Sequence, residues 1–172
     1  MNLHLKLENI LFLDIETVPQ EASWSAVSEN TKLLFDQKTK YQRKEEFTVE
    51  EFYERAGIWA EFGKIICISV GYFVIQKNEK QLRVKSFYGD DEKELLVDFK
   101  KLLDTHFNKN EHVLCAHNGK ESDFPYIRRR MIVQRIELAK NFIYLEKTLR
   151  NSAFRPLESW KLADLTLILF KI

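Results

Sequence analysis

The pattern of apolar and polar positions changes period several times along the chain. Ile10-Leu11-Phe12-Leu13 is an unbroken apolar run that leads straight into Asp14-Ile15-Glu16-Thr17. A run without alternation predicts a strand buried on both faces. The pattern then stops at Val18-Pro19, and residues 20–57 are polar, charged and helix-prone. Ser23 is placed to cap a helix through Leu34-Phe35, and Thr48-Val49-Glu50-Glu51 has capping-box spacing with Gly57 as a stop. Ile65 to Ile75 is β-branched and aromatic. After the polar turn 76–80, Leu82 to Phe87 alternates as a half-exposed strand should. The two predict an antiparallel hairpin beside the first strand, with the alternating member at the edge.

Further on, Asp91 caps a helix whose stripe is Leu95, Leu96, Phe99, Leu102, Leu103 and Phe107. Val113 to Ala116 predicts a short buried strand ended by Asn118-Gly119. Pro125 suits the first turn of the helix that follows, with Phe124, Ile127 and Met131 inward and Arg128, Arg129 and Arg130 outward. Residues 136–158 are weakly patterned, with a helix expected over 142–149. A last strand is expected at Trp160 to Ala163, then a helix capped by Asp164. The order specifies an α/β fold with a mixed sheet and a helical insert over 20–57.

Composition narrows the class. At 172 residues and 45% apolar content the chain fits one folded domain. A net charge of +1 does not advertise nucleic acid, so such a partner would need a local patch. Cys67 and Cys115 lie in apolar stretches and read as buried thiols. Four scattered histidines argue against structural zinc. No signal peptide or membrane span is apparent, which makes a soluble cytoplasmic protein the expectation. The glutamates from 45 to 54 read as a solvated face.

The candidate chemistry begins with Asp14 and Glu16. Residues two apart on a strand share a face, so both carboxylates can converge on one point. Taken alone, they are explained slightly better as hydrated acids at a strand end. Asp123 changes the balance. If its preceding strand runs parallel to the first, both strand ends meet at one crevice, where open α/β sheets place their sites. Three carboxylates there need cations, and hard oxygen donors select Mg²⁺ or Mn²⁺. Two such ions are a standard means of phosphodiester hydrolysis.

Phe12-Leu13-Asp14-Ile15-Glu16-Thr17 resembles the first motif of the DEDD superfamily of 3′–5′ exonucleases, which have a ribonuclease-H-like fold. His117-Asn118-Gly119 through Asp123-Phe124-Pro125-Tyr126-Ile127 resembles the second, most of all in predicted exonucleases similar to the proofreading domain of family-B DNA polymerases. The likeness covers residues 8 to about 165. It implies that Asp14 bridges two metals, Glu16 binds one and positions water, and Asp123 holds the other side. Thr17, Asn118, Arg128 and Arg129 are the candidate contacts to a single strand or 3′ end, with Arg130 and Arg135 as further phosphate contacts. A turn role for Asn118 and a solvated face for the arginines weigh about as much. Ser122 replaces a frequent aromatic residue. His117 is a candidate base, with a structural role favoured. Tyr126 is a candidate stacking residue, with packing favoured, and Trp24, Trp59 and Trp160 are expected in the core.

The family's fourth carboxylate, in Tyr-x-x-x-Asp or His-x-x-x-x-Asp, has no counterpart after Asp123. The sequence halts in the apolar run Leu167 to Ile172. The expectation is a truncated domain without its last helices, with weak metal binding, little or no activity and self-association through exposed apolar surface. The leading reading is a metal-dependent exonuclease domain, acting on DNA before RNA and of use in repair. The alternatives are a non-catalytic module binding nucleic acid or protein, and a gene remnant.

Overall fold

In a computed structural model of the protein, which describes residues 6–44 and 46–139, the opening apolar run becomes the strand β1, Ile10–Pro19. Its first four residues are buried, as the lack of alternation requires. β2, Gly63–Gln76, pairs with β1 antiparallel, and β3, Glu79–Tyr88, pairs antiparallel with β2. β4, Val113–Cys115, lies parallel to the other side of β1. The sheet order is β3-β2-β1-β4, mixed in direction as expected for a ribonuclease-H-like fold.

The hairpin between β2 and β3 turns on Lys77 and Asn78, both at positive φ, the geometry that two-residue hairpin turns demand. β3 departs from expectation. Its alternation predicts one buried face, yet only Phe87 is buried, while Leu82 and Val84 are 37% and 56% exposed. The helix against the sheet meets β3 at Phe87, whose ring centroid lies 6.0 Å from that of Phe99.

That helix spans Glu92–His106, and Asp91 caps it by accepting from the Glu94 N–H at 3.0 Å. Leu95, Leu96, Phe99, Leu103 and Phe107 are buried, and Leu102 packs at the margin, so the predicted stripe faces the sheet. A second helix, Asp123–Val133, brings Phe124, Ile127 and Met131 into the same core. Leu11, Leu13 and Ile15 of β1 pack there too. Phe12, Asp14 and Glu16, on alternate positions, therefore belong to the opposite face.

The insert between β1 and β2 has a small core of its own, with Phe35 at its centre. Its ring lies 5.1 Å from Phe62, 5.3 Å from Tyr53 and 5.8 Å from Trp59, all edge-on. Trp24 and Trp59 pack against this cluster, as core residues should. The insert's first helix starts later than predicted. Ser23 opens only the 3₁₀ turn Trp24–Ala26, and Ser28 caps a helix over Glu29–Arg43. Ser28 succeeds because its hydroxyl accepts from the Thr31 N–H, a bond that Ser23 does not make. The Thr48 capping box forms with Glu51 and opens the short helix Val49–Phe52, followed by the 3₁₀ turn Tyr53–Ile58. Glu46, Glu50, Glu51 and Glu54 are exposed. The neck closes where the Gln20 N–H donates to the Phe62 carbonyl at 2.7 Å. Among the described residues no helix is long and apolar enough to cross a membrane. The elements expected at 142–149 and 160–163, the Asp164 cap and the apolar ending lie outside the described residues.

Candidate metal and nucleic-acid site

For the account of the site, the insert helix Glu29–Arg43 is α1, Val49–Phe52 is α2, Glu92–His106 is α3 and Asp123–Val133 is α4. β4 pairs with β1 only as far as Phe12, opposite Cys115. Asp14 is thus two residues beyond the parallel pairing, at the crevice between the two strand ends. On its other side it faces Ser69 across the antiparallel ladder, and Glu16 faces Cys67. The register shifts between Glu16 and Thr17. Such an irregularity bends a strand and re-aims its side chains.

From β4 the chain turns sharply. Asn118 adopts φ 52°, and its carbonyl accepts from the Glu121 and Ser122 N–H groups at 3.0 and 3.1 Å. Its turn role is therefore realised, with the side chain exposed. Gly119 permits the tight return. A Cβ there would stand 2.7 Å from the Ala116 Cβ and 2.8 Å from the Phe124 ring. The turn delivers Asp123 as the first residue of α4, only 4% exposed.

The Asp123 carboxyl is pushed up from 3.8 to about 6. Burial is the main cause, and the negative charge of Asp14 adds to it. Backbone N–H groups of Asp123 itself and of Ile15 oppose the shift, as does His117. The charge of Asp14 is therefore close enough to raise the cost of ionising Asp123. His117 is exposed, and its charge favours the ionised form of Asp123. Glu16 is exposed on the Asp14 side of the strand. Among the described residues, no group of three or more His, Cys, Asp or Glu is gathered tightly enough to hold a metal. The structure brings the charges of Asp14 and Asp123 into interaction, with Glu16 exposed two residues on from Asp14 along β1.

A family model of the RNase_H superfamily matches residues 52–169. The chain belongs to the RNase_H superfamily. The match takes in α3, β4, α4 and Asp123, and begins after β1 with its Asp14 and Glu16. No curated protein and no solved structure matches the chain. Membership in this superfamily supports a nuclease or other nucleic-acid-related function.

Within this RNase_H-superfamily domain the arginines of α4 part company. Arg128 is half-buried, and Arg129 is exposed beside Glu61 of the insert. Burial raises the Glu61 carboxyl, but the Lys38 ammonium, a backbone N–H and the charge of Arg129 outweigh it and hold the group below its ordinary range. Arg135 is exposed at φ 57°. Arg130 is not on the outer side at all. It is 3% exposed and bound to Glu92, which is 5% exposed, so it cannot meet a phosphate backbone. Tyr126 is buried and donates to the Gly57 carbonyl at 2.7 Å, which rules out base stacking. Burial pushes its hydroxyl up to about 12, and the Thr17 side chain hydrogen-bonds to it. Thr17 is thereby engaged in joining β1 to α4. Gly63 makes room for this joint, since a Cβ there would lie 2.3 Å from the Tyr126 hydroxyl oxygen. Cys67 and Cys115 are half-buried instead of fully buried, and burial pushes the Cys115 thiol up.

The residue that sequence reasoning missed is Glu92. As an acid in the first turn of a helix it reads as an ordinary dipole partner. The available signal was the seven-residue spacing from Asp123 to Arg130, which puts an arginine on the inward face of α4 and demands an acid to meet it.

Proposed function

We propose that this chain is a metal-dependent 3′–5′ exonuclease domain that hydrolyses phosphodiester bonds at nucleic-acid 3′ ends. The observation that carries the reading is the meeting of Asp14, just beyond the parallel pairing of β1 with β4, and Asp123 at the start of α4, with the Asp123 proton held up to about pH 6. Two facing carboxylates, one buried, form a hard-oxygen donor pair that fits Mg²⁺ or Mn²⁺. Asp14 and Asp123 would hold the ion, with Glu16 as a further oxygen donor at the exposed side. When bound, such an ion supplies Lewis acidity and lowers the pKa of a water.

The chain's own residues do the remaining work. The Ile15 N–H and His117 favour the ionised form of Asp123, so its proton can be surrendered near neutral pH. Glu16, exposed on the same strand face as Asp14, would orient a water at the crevice. Asn118, Arg128 and Arg129 offer polar and cationic groups to the strand's phosphates, and Thr17 supports the site through Tyr126. The preference for DNA over RNA rests on the likeness of both acidic motifs to proofreading exonucleases.

The test is degradation of 5′-labelled single-stranded DNA and RNA with Mn²⁺, against Asp14→Ala. Laddering from the 3′ end that disappears in the variant supports the proposal. Cleavage that survives in Asp14→Ala overturns it. The lack of a three-ligand group among the described residues favours one second reading, a non-catalytic module. Tight binding of single-stranded DNA in EDTA, with no cleavage under any metal, would support that module instead.

A further inference from the structure

A buried polar assembly, built on Glu92 and Arg130, lies two helical turns along α4 from Asp123. Glu92 Oε1 accepts from Arg130 Nε at 2.8 Å and from the Ile65 N–H at 2.7 Å. Glu92 Oε2 accepts from Arg130 Nη2 at 2.5 Å and from Gln134 Nε2 at 2.7 Å. The guanidinium also donates from Nη1 to the Ala60 carbonyl at 3.0 Å and from Nη2 to Gln20 Oε1 at 3.0 Å. One bidentate pair thus joins α3, α4, the start of β2 and both ends of the insert's neck. Its partners are fixed in direction, because guanidinium and carboxylate meet edge to edge.

The joint's position relative to the acidic pair gives it meaning. Asp123 and Arg130 are seven residues apart, two helical turns, and fall on the same face of α4 about 10 Å apart along its axis. Rotation or sliding of α4 about Arg130 therefore moves Asp123 directly. The Ile65 N–H, held by the same Glu92, belongs to the residue paired with Thr17, immediately after the register shift that follows Glu16. So one carboxylate is tied both to the helix that carries Asp123 and to the ladder position next to Glu16. Tyr126 lies between Asp123 and Arg130 on α4 and adds a third tie, to the Gly57 carbonyl and to Thr17.

We propose that Glu92 and Arg130 are positioning residues for the Asp14–Asp123 pair: their joint sets the rotation and depth of α4, and so the separation at which the two carboxylates meet. The cation-binding consequence rests on the function proposed above, whereas the positioning itself does not. The joint needs every one of its donors, because a guanidinium replaced by a point charge cannot hold both carboxylate oxygens and two further acceptors at once.

The experiment compares wild type with Arg130→Lys, Glu92→Gln and Gln20→Ala, using Leu96→Val as a core variant that loses packing and leaves every donor and acceptor of the joint in place. Two readouts are taken on each folded protein. The first is amide exchange at Ile15, whose N–H faces the Asp123 carboxylate. Exchange at Ile15 is expected to accelerate at least tenfold relative to Leu11 and Leu13 in Arg130→Lys and Glu92→Gln, and severalfold in Gln20→Ala, while Leu96→Val leaves that ratio unchanged. The second is Mn²⁺ affinity by titration, expected to fall tenfold or more in the first two variants and to stay within twofold in Leu96→Val.

If Arg130→Lys and Glu92→Gln keep the wild-type Ile15 ratio, the positioning proposal is overturned and the joint is structural only. Should Arg130→Lys and Glu92→Gln fail to fold, Gln20→Ala decides: an unchanged ratio there overturns the proposal too. A wild-type protein that binds no Mn²⁺ removes the proposed metal function, and the Ile15 ratio still judges the joint.

Discussion

Two carboxylates on or against α4 are buried to nearly the same degree, and they are treated in opposite ways. Glu92 is met by a bidentate arginine, a backbone N–H and a glutamine amide. Asp123, two turns away along the helix, faces another carboxylate. Burying a charge is tolerable when it is paired and hydrogen-bonded, and costly when it is not. The first arrangement is complete within the chain. The second is left short of positive charge, and its carboxyl keeps its proton up to about pH 6. Burial alone therefore does not distinguish the two acids; the completeness of their partners does.

The comparison breaks most readily at Arg130. Arg130→Met leaves Glu92 buried without its cation and is expected to cost about 3–5 kcal/mol, read by urea denaturation. Replacing both partners, Glu92→Met with Arg130→Met, is expected to recover most of that loss, since no charge is then stranded. A double variant as unstable as the single one would contradict the account.

Asp123 should respond with the opposite sign. Its folded pKa is raised above the unfolded value, so the stabilisation from its proton is fully present below about pH 4 and is lost as pH rises through about 6. Asp123→Asn is therefore expected to stabilise the metal-free protein at pH 8 by roughly 2–3 kcal/mol and to have no such effect at pH 4. Mn²⁺ should stabilise the wild type at pH 8 and much less at pH 5, where it must displace the proton. Equal denaturation midpoints for Asp123→Asn and wild type at pH 8 would count against the shift.

Tyr126→Phe tests a smaller difference. It removes one buried donor and leaves the Gly57 carbonyl unmet, for an expected loss of about 1–2 kcal/mol. The smallest effect on stability is expected at Arg129, exposed beside Glu61. Arg129→Gln should change stability by less than about 0.5 kcal/mol. It should reduce the salt dependence of DNA binding by about one phosphate contact.

Much of this was legible in the sequence. The unbroken run at Ile10 to Leu13, the Thr48 capping box, the hairpin and the Leu95 to Phe107 stripe each express a local rule, and local rules survive folding. The meeting of Asp14 and Asp123 was also foreseeable, because parallel strands bring their ends together. What escaped was tertiary. Arg130 reads as one of three like arginines, and only the docking of α4 separates the buried one from its neighbours. Ser23 and Ser28 look equally able to cap, and the choice fell to the serine whose hydroxyl reaches an N–H. β3 has the alternation of a half-buried strand, but nothing in its own sequence says how far α3 extends over it.

The central claim is that Asp14 and Asp123 form a charge-deficient pair built for a cation. Its most direct test is the titration of the Asp123 side-chain carboxyl carbon by ¹³C NMR, with and without Mg²⁺, in wild type and Asp14→Asn. The account predicts a midpoint of about 6 in the metal-free protein, a lower midpoint in Asp14→Asn, and a fall on adding Mg²⁺ that Asp14→Asn weakens. A midpoint near the ordinary value of 3.8, indifferent both to Mg²⁺ and to the loss of Asp14, would contradict it.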